Sequence, residues 1–361
     1  MYKMQYFKGL LKSLVLIFLS ATVAIQAQAS QDEGKEFNPG DVIMHHIADS
    51  HGWHLWDYTD ENGEKHAVSI PLPVILFHNG GLDMFMSSAF HHGEEPVTKG
   101  DVTYIMHHSD IYIANEAGGL DFDEEHHPTN AQPLDLSITK NVFMMLLSGV
   151  LLLVLFGGAA RSYRKSTNGS PRGLASFLEP LVVFVRDDIA KPNIGDKYHR
   201  FMPYLLTIFF FIWINNLIGL IPFFPGGANV TGNIAFTLTL SVFTFIVTNV
   251  NGNKHYWRHI FATPGVPIAV LPIMALVEFI GIFTKPFALM VRLFANITAG
   301  HIIILSLVSL IFVFESVFIS PISIGFGLFM NVLELLVAAL QAYIFTLLSA
   351  MFIGGAVEEH H

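Results

Sequence analysis

Between residues 261 and 356 of this chain the only formal charges are Glu278, Lys285, Arg292, Glu315 and Glu334, and His301 can acquire one. All else in that stretch is uncharged and strongly apolar. A charge at bilayer depth costs at least about 2.5–3.5 kcal/mol, so such groups face a wet cavity, a partner or an ion path. Lys285 and Glu315 lie near Pro286 and Pro321 and read as side chains that reach out to the membrane surface. The other four are placed for chemistry. Arg292 and Asn296 are four residues apart, and Glu334 and Gln341 seven, so each pair shares a helix face. His301 follows Arg292 by nine residues, which at about 100° per residue turns it to the opposite side of the same helix. Arginine does not release its proton, whereas histidine and glutamate do. The pattern is that of a fixed positive charge beside a titratable relay. The plainer alternative is a structural ion pair between helices.

These residues need long apolar helices to hold them. Between Pro286 and Pro321 run 34 residues without a proline, and another 35 follow at 322–356. Each is about 50 Å long if helical, against a hydrocarbon core of about 30 Å. Such helices tilt steeply, break, or lie partly in the membrane plane. Pro286 is expected to interrupt the first of them, which would remove Glu278 from the face of Arg292. Earlier apolar runs at 142–160, 202–221 and 234–250 are also long enough to span a bilayer. The connection 161–200 carries eight Lys and Arg residues and 222–232 carries no charge, so the first belongs in the cytoplasm. Within it, residues 174–188 are expected to lie along the membrane surface. The fold class expected is an all-α membrane protein with about five crossing helices. The last two form a long, tilted hairpin, and the C-terminus is cytoplasmic.

The composition agrees. With 52% hydrophobic and 13% charged residues, the chain is too apolar for an ordinary soluble enzyme. It has no cysteine, which excludes disulfide frameworks, cysteine-bound zinc and thiolate nucleophiles. A net charge of −10 argues against nucleic acid as a partner. Residues 30–135 hold twenty of the 29 acidic groups and twelve of the 18 histidines, with only Lys35, Lys65 and Lys99 as basic residues.

Lys3, Lys8 and Lys12 precede a short apolar run, and Ala27-Gln28-Ala29 supplies a small-residue cleavage site, so residues 1–29 read as a signal peptide. Sequencing of the membrane-extracted protein is expected to start near Ser30. An intact Met1 terminus would overturn both cleavage and topology. Residues 30–135 then form an exported acidic domain, with short strands expected around 66–70 and 102–106, and residues 136–361 form the membrane domain. The histidine pairs 45–46, 91–92, 107–108 and 126–127 raise metal binding, but neighbours on a strand point to opposite faces, and we assign no metal site.

Leu276-Val277-Glu278, Thr284-Lys285-Pro286 and Val291-Arg292-Leu293-Phe294-Ala295-Asn296-Ile297-Thr298-Ala299-Gly300-His301 together resemble the signature segment of F-type ATP synthase subunit a. Leu340-Gln341-Ala342-Tyr343-Ile344-Phe345 resembles its second signature, and Asn216-Leu217-Ile218-Gly219-Leu220-Ile221-Pro222 a third, weaker one. The resemblance implies a stator subunit that does no bond chemistry itself, has no cofactor, and moves protons between two half-channels and a rotating ring of c subunits. It implies that Arg292 faces the ring carboxylates. Asn296, His301, Glu334 and Gln341 match positions of the outer half-channel, with Asn216 near it, and Glu278 matches a carboxylate of the cytoplasmic one. In some members an acid stands at the position of His301 and a histidine at that of Glu334, so the pair is exchanged here. Gly219 stands where some members carry an acid and takes no proton role. The expected partners are the c-ring, the b subunits of the peripheral stalk and membrane lipid. Two rivals are a secondary transporter, for which the chain lacks visible internal repeats, and a metal-uptake protein with the exported domain as receptor.

Overall fold

The structure, a computed structural model, describes residues 39–59, 65–93, 95–165, 173–221, 224, 226–262, 266–314 and 320–358. The expected signal segment, its cleavage site and Glu315 lie outside the described residues. The chain divides into two compact units. One is the N-terminal part up to Met145 with Ile221–Ala228 and Val308–Ser323, and the other holds Leu146–Leu220, Asn229–Leu307 and the chain from Ile324 onward.

The first unit opens with helix α1 (Pro39–Ile47) and continues as short antiparallel sheets. β1 (Gly52–Thr59) pairs with β2 (Lys65–Pro71). A second sheet has the order β4-β3-β8, from β3 (Pro73–His78), β4 (Gly81–Met86) and β8 (Leu134–Asp135). A third has the order β5-β6-β7, from β5 (Val97–Lys99), β6 (Val102–His107) and β7 (Asp110–Ile113). The strands expected around 66–70 and 102–106 are β2 and β6. Asn79-Gly80 closes the β3–β4 hairpin with φ of 47° and 82°, the positive pair that a tight two-residue turn demands. Val74, Leu76, Phe90 and Tyr104 are each 0% exposed and, with Val97 and Ile111, form the core of this unit. Burial pushes the Tyr104 phenol up to about 12, and its hydrogen bond to the Asp83 carboxylate, 2.7 Å, adds to the effect.

The sheets are clamped to the start of helix α2 (Lys140–Lys165). The Leu136 and Ile138 N–H groups donate to Ile75 and Pro73, and Lys140 N–H donates to the Ser50 carbonyl. The Asp49 carboxylate accepts from the Thr139 hydroxyl and the Asn141 N–H at 2.8 and 3.0 Å, capping the helix. His51 Nε2 lies 2.7 Å from Asp135 Oδ2. Burial alone would raise the Asp135 carboxyl, but hydrogen bonds from His51 and Ser137 outweigh it and hold the group below its ordinary value.

The second unit is helical. α3 (Leu174–Phe184) runs through a wide π turn at Val185–Ala190, the short α4 (Lys191–Ile194) and a 3-10 turn at Gly195–Lys197 into α5 (Tyr198–Gly219). α6 (Ile234–Val250) is capped by Asn233, whose side chain accepts from the Ala235 and Phe236 N–H groups. α7 (Lys254–Phe261) leaves it at 103°. α8 (Leu271–Phe314) and α9 (Ser320–Val357) contain 44 and 38 residues. Among the described residues four helices are long and apolar enough to cross a membrane, or five if α6 and α7 make one span. That agrees with the count expected from the apolar runs.

Pro286 does not break its helix. α8 is continuous through it and, at 1.5 Å per residue, about 66 Å long. Proline removes one helical donor, but Ile282, Leu289, Met290 and Leu293 are buried around it, and packing holds the helix on both sides.

Packing between these helices uses small and hydroxylated side chains, as lipid-immersed bundles do. Thr237, Ser241, Thr244 and Thr248 form a buried row on α6. Thr244 Oγ1 is 2.7 Å from the Tyr204 hydroxyl of α5 and 3.3 Å from Ser349 Oγ of α9. At Gly354 on α9 a Cβ would collide with the Asn193 carbonyl of α4, and neither backbone can yield. Gly354→Ala is therefore expected to cost about 1–3 kcal/mol of overpacking and to lower the amount of subunit in the membrane. Gly355→Ala, whose Cβ would meet nothing within 4 Å, should not. Equal immunoblot signals for the two variants would contradict this packing.

Candidate functional site

α8 orders the site by its period. Leu289, Leu293 and Ile297 are buried, whereas Arg292 and Asn296 are exposed, so the two polar residues share an outward face. No described residue forms a hydrogen bond or ion pair with Arg292. His301, half a helical revolution away, is turned inward instead. Its Nδ1 lies 3.5 Å from Glu334 Oε1 of α9, and Glu334 is only 4% exposed. The Glu334 oxygens accept no hydrogen bond from any described residue, and the imidazole stands beside them. Gly300 makes the approach feasible, because a Cβ there would stand 2.9 Å from Glu334 Oε1.

Gln341 and Asn216 join this group. Glu334 and Gln341 lie on one buried face of α9 about two turns apart, with Ala338 between them. Asn216, on α5, donates its amide N–H to the Ala338 carbonyl at 3.1 Å and accepts from the Thr231 hydroxyl at 2.6 Å. Thr298 of α8 in turn donates to the Gly232 carbonyl at 3.3 Å. The loop before α6 thus links the polar faces of α5 and α8. Nothing in the local sequence marks Thr231 for this role, and only the fold reveals it.

Glu278 belongs to a different place. It is half-buried in a cleft of about 250 Å³ with His255, Tyr256, His259, Lys285 and Glu358. His255 and His259 are four residues apart on α7 and share a face. Lys285 lines the same cleft, its ammonium 5.7 Å from the centre of the Phe352 ring. Beside the cleft, α7 is tied to the end of α9. Asn253, the N-cap of α7, donates its amide to the Glu358 carbonyl at 2.6 Å, and its backbone N–H donates to Ala356.

Because α8 is one rod, its polar residues have a fixed order. Glu278 precedes Arg292 by fourteen residues, about 21 Å along the axis and about 40° around it. His301 follows Arg292 by about 13 Å, on the opposite side. A permanent cation therefore stands between two separate titratable groups. The structure pairs His301 with Glu334, ties Asn216 to the Ala338 turn of α9 between Glu334 and Gln341, sets Glu278 apart, and leaves Arg292 and Asn296 facing outward.

The ATP synthase A chain family matches residues 142–354, and a domain of unknown function matches residues 42–136. The chain is 53% identical over 234 residues to ATP synthase subunit a of Chloroherpeton thalassium, covering 63% of this chain and 69% of that protein. It is 49% identical over 259 residues to ATP synthase subunit a 2 of Chlorobaculum tepidum, covering 69% and 71%. With ATP synthase subunit a of an Anaeromyxobacter species it shares 40% identity over 341 residues, covering 92% and 74%.

Proposed function

The chain belongs to the ATP synthase subunit a family, and on that premise we propose the route by which its residues pass protons through the membrane sector. Protons enter from outside the cytoplasm past Glu334 and His301, with Gln341 and Asn216 holding that path open. They load a carboxylate of the c-ring presented to the outward face of Arg292 and Asn296. After the ring has turned they leave through the cleft of Glu278. Arg292 separates the two paths, since a fixed cation disfavours a continuous proton wire and makes each ring carboxylate pass it ionised. Each charge crossing 100 mV releases only about 2.3 kcal/mol, so several are summed by rotation for one ATP. The order Glu278, Arg292, His301 along one unbroken helix is the observation that carries this reading.

The subunit is a multi-pass membrane protein. In this reading the basic connection at 161–200 and the C-terminus are cytoplasmic, residues 1–29 are removed on export, and residues 30–135 stand outside. The remainder docks to the c-ring, the b subunits and lipid. Purification of detergent-solubilised membranes through a tag on this chain is expected to recover a c-ring, and inverted vesicles should take up protons on addition of ATP with no requirement for Na⁺. Recovery of the chain without a ring would refute the assignment, and strict dependence on Na⁺ would refute the proton.

A further inference from the structure

Strand β3 of the β4-β3-β8 sheet is apolar on both of its faces up to His78. Val74 and Leu76 point into the domain core. On the other face, Phe77 lies opposite Leu82 and Leu134, Ile75 opposite Met84, and Pro73 opposite Met86. Phe77, Leu82, Met84, Met86, Leu134 and Leu136 are between 42% and 62% exposed. A half-solvated antiparallel sheet normally alternates apolar with polar residues, and a contiguous apolar face of this kind marks an interaction surface. The β5-β6-β7 sheet of the same unit follows the ordinary rule, for Thr98 and Thr103 face water there and hydrogen-bond across the strands at 3.0 Å. None of the acidic residues in β3, β4 or β8 stands on the apolar face. Asp83 and Asp135, the nearest, point the other way, to Tyr104 and His51.

The row Leu134, Leu136, Ile138 runs along this face directly into Lys140, where α2 begins. Leu136 is four residues from that helix, about 13 Å of extended chain at most. The Leu136, Ile138 and Lys140 backbone hydrogen bonds and the Asp49 cap fix the sheet to the helix entry. Where α2 enters lipid, an apolar surface within that reach can meet the headgroup and acyl boundary, in which amphipathic elements seat their apolar sides. We propose that the outer face of the β4-β3-β8 sheet docks on the bilayer surface and holds the N-terminal domain against the membrane. The proposal rests on α2 crossing the membrane and not on the proton route described above.

The absence of cysteine from the chain makes it testable. Met84→Cys and Leu134→Cys on the face, and Asp101→Cys at the β5–β6 turn, would each carry one fluorophore in the intact complex reconstituted into phosphatidylcholine vesicles. The unsubstituted complex supplies the background. Probes at 84 and 134 are expected to lose most of their emission to lipids bearing a nitroxide near the headgroup and little to aqueous iodide, and the probe at 101 should do the reverse. Iodide quenching at 84 and 134 as strong as at 101 would overturn the proposal. So would shielding from both quenchers, because a protein partner would then cover the face. ATP-driven proton uptake by the same vesicles reports on the translocation route separately.

Discussion

Arg292→Ala is expected to abolish coupled ATP synthesis while the subunit stays in the membrane at a normal level. A guanidinium at this depth requires an anion. No described residue pairs with it, and Glu278, the acid nearest its face on α8, is about 21 Å away along the axis. The compensating carboxylate is therefore expected on another chain, the ring, and removal of Arg292 leaves no buried partner in this one. Without the cation the two proton paths are no longer separated, so passive leak should appear in vesicles that cannot make ATP. Arg292→Lys keeps a charge but loses the planar fork and loses its proton more readily when desolvated, so it should fail or be severely impaired as well. A structural ion pair within the bundle predicts the opposite pattern, with the subunit missing from the membrane in both variants. Immunoblots beside ATP-synthesis and leak assays separate the two, and normal synthesis in a well-assembled Arg292→Ala complex would end the mechanism.

Exchanging His301 and Glu334 is expected to preserve more proton pumping than changing either alone. Their side chains are 3.5 Å apart across α8 and α9. His301→Glu would confront two carboxylates in that space, where like charges oppose ionisation of both. Glu334→His would confront two imidazoles and leave no acid. The double substitution restores one of each within the same volume, beside the gap left by Gly300. Residues in such contact couple by about 0.5–3 kcal/mol, enough for the double variant to stand clear of the singles in ATP-driven quenching of a pH dye. A double variant no better than the worse single would show that the two act independently.

The parts of the site that lie on helix faces were legible in the residues alone. The opposed directions of Arg292 and His301, and the shared face of Glu334 and Gln341, follow from the α-helical period, which lipid enforces because every backbone group must be paired within the segment. What one helix does to another was not legible. The hydrogen bonds that carry Thr231 to Asn216 and Thr298 to Gly232 arise from a loop with no local signature. The continuity of α8 through Pro286 depends on packing around it, which outweighs the local preference of proline. His255 and His259 have a recognisable spacing, but only the fold of α7 back toward α8 and α9 places them beside Glu278. The strands at 66–70 and 102–106 announced themselves by alternation. The strand that begins at Pro73 was hidden for the opposite reason, since its two faces are both apolar up to His78.

An unbroken helix that contains a proline is still altered at one atom. Pro286 brings no N–H to the carbonyl of Ile282, its partner four residues earlier, and Ile282 lines the cleft that holds Glu278, His255 and His259. That carbonyl lacks its helical donor about 6 Å along the axis from Glu278 and about 15 Å from Arg292. Side-chain replacement at 282 leaves that oxygen in place. If this cleft is the proposed exit, a survey that changes its side chains one at a time would leave that carbonyl untested, and the informative substitution is at the proline, four positions away.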